Sequence, residues 1–96
     1  MDTYEIMFII TNNIEDATNK KEAENLQKII TSDKGKIIDF KEIGKRKLAY
    51  PIKKEVTGTY YLLIVEAKHS TIKEFNRKVS INENVLRHLI IKKEGE

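Results

Sequence analysis

The chain has 96 residues, 40% hydrophobic and 34% charged, enough for one small core and too few for a second domain. It contains no cysteine and two histidines, which excludes disulfides, thiolate zinc sites and cysteine nucleophiles and leaves too little imidazole for a metal site. No apolar run nears the roughly 18 to 20 residues of a membrane span, and Met1-Asp2-Thr3-Tyr4-Glu5 lacks the basic start of a secretory signal. The expectation is one domain over residues 1–96, acting where it is made.

Net charge is only +3, but it is unevenly placed. Residues 2–33 carry three Lys against seven acids, residues 34–54 eight basic residues against Asp39 and Glu42, and residues 68–93 seven against Glu74 and Glu83. One flank of the folded chain is therefore expected to be acidic and another basic, and the basic flank is where phosphate would sit.

Thr3 to Thr11 is branched and aromatic, with Asn12-Asn13 after it, and predicts a strand followed by a turn. Ala23, Leu26 and Ile30 recur at helical spacing among Lys, Glu and Gln, predicting an amphipathic helix that ends near Asp33-Lys34-Gly35, with Gly35 in the left-handed cap. Ile37 to about Ile52 is a long strand interrupted by Gly44 and carrying Pro51. Proline cannot donate to a ladder, so this strand belongs at a sheet edge. A turn across Lys53 to Thr57, with Gly58 marking the return, leads into a strand at Tyr60 to Val65. Ser70 or Thr71 is placed to cap a second helix with Glu74 in its first turn, burying Ile72, Phe75 and Val79. Asn82-Glu83-Asn84 turns the chain into a last strand, Val85 to Lys93.

Strand, helix, strand, strand, helix, strand is the split βαβ, ferredoxin-like order: an α+β fold with a four-stranded antiparallel sheet and both helices on one face. The first and third strands are expected at the centre. Alternation then assigns Ile6, Phe8, Ile10, Tyr61, Leu63 and Val65 to the helix-covered face. Met7, Ile9, Tyr60, Leu62 and Ile64 fall on a face without a helix, where an apolar patch marks a candidate interface.

Catalytic constellations are missing from the pattern. Ser and Thr lie near no His with an orienting acid, and the glycines at 35, 44, 58 and 95 are isolated, unlike phosphate-gripping loops. RNA-recognition modules share the element order but read bases with aromatics two apart on the third strand. Here Tyr60 and Tyr61 are adjacent and point to opposite faces, so only Tyr60 would meet a base on the open face.

Gly44-Lys45-Arg46-Lys47-Leu48-Ala49-Tyr50-Pro51-Ile52-Lys53 resembles the signature of the bacterial-type ribosomal protein S-six family. The opening Met1 to Glu5 and the stretch Ile81 to Leu89 resemble the same family in order and spacing. Asp2 and Thr3 stand where the family commonly has Arg, and Lys47 replaces a residue that is usually not lysine. The resemblance implies a non-enzymatic constituent of the small ribosomal subunit, without cofactor, metal or small-molecule substrate. It also implies binding to small-subunit ribosomal RNA in the central domain, with the eighteenth small-subunit protein as partner. The isolated chain is expected to be a monomer that works off the membrane, on a cytoplasmic bacterial ribosome or an organellar one. The RNA-binding residues expected are Arg87, His88, Lys92 and Lys93, where an Arg fork can take phosphate in two bonds and Lys acts as a point charge. The partner-protein interface expected is Lys41, Glu42, Lys45, Arg46, Lys47, Leu48, Tyr50 and Pro51, along an edge whose charges oppose self-pairing. The alternative is a free-standing ferredoxin-like regulator, binding RNA or a ligand, that covers its open face by forming a homodimer.

Overall fold

A computed structural model describes residues 2–93. Met1 of the family-like opening, and Gly95 with its neighbours at the carboxyl end, lie outside the described residues. The elements are β1 (Asp2–Thr11), α1 (Asp16–Thr31), β2 (Lys36–Ile52), β3 (Glu55–Ala67), α2 (His69–Ser80) and β4 (Val85–Lys93). All sheet pairs are antiparallel, in the order β2-β3-β1-β4. The two most continuously apolar strands are thus central, and β2, with its proline, is an edge.

The core forms where the alternation places it. Ile6, Phe8, Ile10, Leu63 and Val65 are fully inaccessible and Tyr61 nearly so, packed beneath Ala23, Leu26 and Ile30 of α1 and Ile72, Phe75 and Val79 of α2. Each such Leu, Ile or Phe stabilises the fold by about 1.5 to 3 kcal/mol relative to exposure. Tyr61 lies between Phe8 and Phe40, with ring centroids 5.2 and 5.6 Å away. That stack ties the edge strand β2 to the centre.

Four local expectations are corrected. Lys34, not Gly35, takes the left-handed position after α1, at φ 67°. The Gly35 amide donates to the Ile30 carbonyl and the Lys34 amide to that of Thr31, closing the helix end in a Schellman pair. Glycine is required at 35 for a different reason: a β-carbon there would stand 2.6 Å from the Ile30 carbonyl oxygen. At α2 the residue before the helix is Lys68, with no side-chain cap. Thr71 lies inside the helix, where its hydroxyl donates to Asp33 Oδ2 at 2.6 Å, and Glu74 sits beyond the first turn, paired with Arg77 and Lys78.

The β2–β3 turn is also shorter than expected. Ile52 pairs with Glu55, so Lys53 and Lys54 alone make the turn, both at positive φ (51° and 67°), the type I′ geometry that follows strand twist. Gly58 is not the return but part of β3, and it allows close approach, since any side chain there would collide with Ile9.

Candidate nucleic-acid and protein interface

The site is built on the far half of the β2–β3 hairpin. β2 is irregular at Ile37/Asp39, at Glu42/Gly44 and between Lys47 and Ile52, and Gly44 has φ 110°. Such bulges bend a strand and raise its twist. The bend carries residues 48–52 off the edge and back over the open face of the sheet as an arm. Leu48 packs with Ile9 of β1 and Leu86 of β4, with Ile52 and Tyr60 at the margin. Leu86 reaches this face because β4 has its own irregularity opposite Ile9/Ile10. At the end of the arm the Tyr50 hydroxyl accepts a hydrogen bond from Arg87 Nη1, and the guanidinium carbon lies 6.0 Å from the ring centroid. An edge residue of β2 therefore touches β4, the opposite edge.

This arm changes two expected interface residues. Ile9 is 4% exposed and Leu48 6%. Both are spent on seating the arm, and neither is available to a partner. Met7, Tyr60, Leu62 and Ile64 remain half-buried, and with exposed Leu89 and Ile91 they form an apolar strip on the uncovered part of the face. Glu5 and Glu66 lie on the same face at the end away from the arm.

Strand alternation divides the expected RNA-binding set. Arg87 and Lys93 pair with Ile9 and Thr3, on the open face; His88 and Lys92 pair with Phe8 and Tyr4, on the helix face. Arg87 and Lys93 are six residues apart along the strand, roughly 20 Å. The structure therefore does not bring the four into one patch. Lys92 Nζ lies 3.5 Å from Asp2 Oδ2. His88 is half-buried against α2, its Nε2 2.7 Å from Asn76 Oδ1, and burial lowers its pKa by disfavouring the charged ring.

The β2 set is split in the same way. Lys41 and Arg46 pair with Leu62 and Gly58, on the open side, whereas Glu42, Lys45 and Lys47 pair with Tyr61, Thr59 and Thr57, on the helix side. Lys45 Nζ is 3.7 Å from Asp16 Oδ1 of α1, and Lys41 Nζ is 4.0 Å from Asp39. Tyr50 and Pro51 are exposed on the arm. Among the described residues Arg46, Lys47, Lys53, Lys54 and Arg87, toward the arm end, have no carboxylate within 4.0 Å, and the same holds for Lys36 and Lys93 at the opposite end of the sheet. Lys53 and Lys54 stand outside the residues expected at the site. Their signal, a Lys-Lys pair inside a hairpin, does not mark a tight turn the way Asn-Gly does.

Polar groups beneath this end are satisfied by the chain itself. Tyr61 donates to Asn19 Oδ1, and Asn19 Nδ2 donates to the Thr11 carbonyl at 3.1 Å and to Thr59 Oγ1 at 3.3 Å. Burial raises the Tyr61 pKa to about 12, which keeps its proton in that bond. Among the described residues no buried side-chain polar atom lacks a partner and no group of His, Asp or Glu is placed to hold a metal. The class so defined is a ferredoxin-like binding module with charged edges, a partly open apolar sheet face and a basic, aromatic-tipped arm.

The sequence model of the family described as Ribosomal protein S6 matches residues 3–92. The chain is 45% identical over 94 residues to the small ribosomal subunit protein bS6 of Shouchella clausii, covering 98% of this chain and 99% of that one. It is 47% identical, at the same coverage, to the bS6 protein of Halalkalibacterium halodurans. The crystal structure of 30S ribosomal protein S6 from Thermotoga maritima superposes with a TM-score of 0.91 at 29% identity, over 96% of this chain and 87% of that one. The chain belongs to the ribosomal protein S6 family, and is a structural, non-enzymatic constituent of the small subunit of a bacterial-type ribosome. None of its helices, among the described residues, is long and apolar enough to cross a membrane.

Proposed function

We propose that this protein, one domain and a monomer when isolated, binds the central domain of small-subunit ribosomal RNA jointly with the eighteenth small-subunit protein in the bacterial cytoplasm. The observation that carries the reading is the arm, which puts Tyr50 on Arg87 and gathers Arg46, Lys53 and Lys54 at the same end without neutralising acids. Phosphate is attracted by such uncompensated charge, whereas Lys92 is already paired with Asp2. The protein partner takes the exposed β2 edge through Lys41, Glu42, Lys45 and Lys47, and the neighbouring strip of Met7, Leu62 and Ile64. Glu5 and Glu66 lie at the rim of that strip, beside Lys36 and Lys93, so the rim carries both signs of charge.

A salt series of RNA binding, run with the protein partner at saturation, tests the division. Replacing Arg87, Lys53 and Lys54 with alanine is expected to flatten the log-log salt slope by up to about 0.7 to 0.9 per lost contact. Replacing Lys92 and Lys93 is expected to change it less. Equal or greater flattening by the second pair would move the RNA to the far end of β4.

A further inference from the structure

We propose that Tyr50 is a nucleobase-stacking platform and Arg87 the group that holds the same nucleotide's phosphate. This rests on the RNA-binding reading above and adds to it the residue that meets a base.

The chain has seven aromatic residues, four Tyr and three Phe. Tyr4, Phe8, Tyr61 and Phe75 are buried, and Phe40 and Tyr60 are half-buried. Tyr50 alone is exposed, at 56%, although it sits two residues from Leu48, which is 6% exposed. The ring is therefore not loose. Leu48 fixes the arm from one side, Pro51 restricts the backbone on the other, and the hydroxyl is bonded to Arg87. A ring held in place before binding loses little side-chain freedom when a partner stacks on it.

The guanidinium lies at the hydroxyl edge, 6.0 Å from the centroid, which leaves ring surface free. Guanidinium has five N–H donors, of which Tyr50 takes one. No carboxylate lies within 4.0 Å of Arg87 among the described residues, so the remaining donors are open to a phosphate. An aromatic ring with a cation at its edge and further cations beyond it, Arg46, Lys53 and Lys54, matches the stacking-plus-charge chemistry of single-stranded RNA. A protein anchor would carry the same ring, but cations without carboxylate partners around it suit phosphate.

The experiment measures binding of a transcribed central-domain RNA fragment to the full chain with its protein partner saturating, for the parent chain, Tyr50→Leu and Tyr50→Phe. Thermal melts first establish that both variants fold, as an exposed position leads one to expect. Tyr50→Leu should weaken binding about 5- to 150-fold, the range that base-aromatic stacking covers, with the salt slope unchanged because no charge is removed. Tyr50→Phe keeps the ring and should stay within about threefold of the parent. If the parent pair does not bind the RNA, the underlying reading fails. If the parent binds and Tyr50→Leu binds as tightly, the stacking role is wrong while the reading stands. If Tyr50→Leu instead weakens pairing of the two proteins without RNA, and the RNA defect vanishes once pairing is saturated, the ring belongs to the protein partner and the proposal is overturned.

Discussion

Replacing Leu48 with alanine tests whether the arm is seated on the sheet. Its side chain is 6% exposed and packed on Ile9 (4%) and Leu86 (8%), a cluster separate from the main core. The substitution removes three carbons, worth about 2.4 kcal/mol at roughly 0.8 kcal/mol each. In a rigid interior the residual cavity raises Leu→Ala losses toward about 5 kcal/mol. Here one wall of the cluster is the arm itself, joined to the body only through β2 and β3, so it can settle inward and most of the cavity closes. The expected loss is therefore about 2.5 kcal/mol, against about 3 to 5 for Leu63→Ala beneath the helices. Urea denaturation measures it: the midpoint should fall while the slope stays constant, because the surface exposed on unfolding hardly changes. The Leu48→Ala, Leu86→Ala double variant should lose less than the sum of the singles, since the two side chains touch. A loss below about 0.5 kcal/mol, with strictly additive effects, would show that Leu48 is effectively solvent-exposed and that the arm does not hold Tyr50 against Arg87.

Two further outcomes follow from contacts away from the arm. Asp33 accepts a hydrogen bond from Thr71 and lies 3.7 Å from Lys68, and these hold its carboxyl below the ordinary value of 3.8. Its stabilisation is thus complete above about pH 4 and lost as pH falls through the folded-state pKa, so Asp33→Asn should be less stable than the parent at neutral pH and flatter in acid, as thermal melts across pH 2 to 7 would report. An identical acid limb in both proteins would remove Asp33 from the account. On the exposed β2 edge, apolar replacements at Glu42, Arg46 and Lys47 remove charge that opposes strand pairing, and light scattering should detect self-association; a variant still monomeric at high concentration would mean that these charges do not guard the edge.

The layered fold was legible because burial repeats at the period of each element. Alternation over Ile6, Phe8 and Ile10 and over Tyr61, Leu63 and Val65 identified the core face, and Pro51 marked β2 as an edge strand. The turns were less legible, because tertiary contacts overrode local preference. Lys34, Lys53 and Lys54 occupy left-handed positions that glycine takes more easily. Gly35 and Gly58, which look like turn markers, are instead places where Ile30 and Ile9 come too close for a β-carbon. The arm was hidden for a related reason. Nothing in Leu48-Ala49-Tyr50 shows that bulges elsewhere in β2 bend it over the sheet.

The residues expected to bind RNA on β4 do not share one face, and the reason is geometric. Arg87-His88 and Lys92-Lys93 are neighbours in sequence, but in a strand neighbours face opposite ways, so each pair contributes one member to each face. A basic patch on a sheet has to be assembled from positions two apart and from the strand beside it. On β4 that leaves Arg87 at one end of the open face and Lys93 at the other, and only Arg87 has the arm above it. The same alternation gives so small a chain two kinds of surface. At one end of the open face aromatic and cationic groups meet; along the rest runs an apolar strip with Glu5 and Glu66 at its limit. A sheet whose open face is cationic and aromatic at one end and apolar along the rest can present a different surface to RNA and to a protein partner.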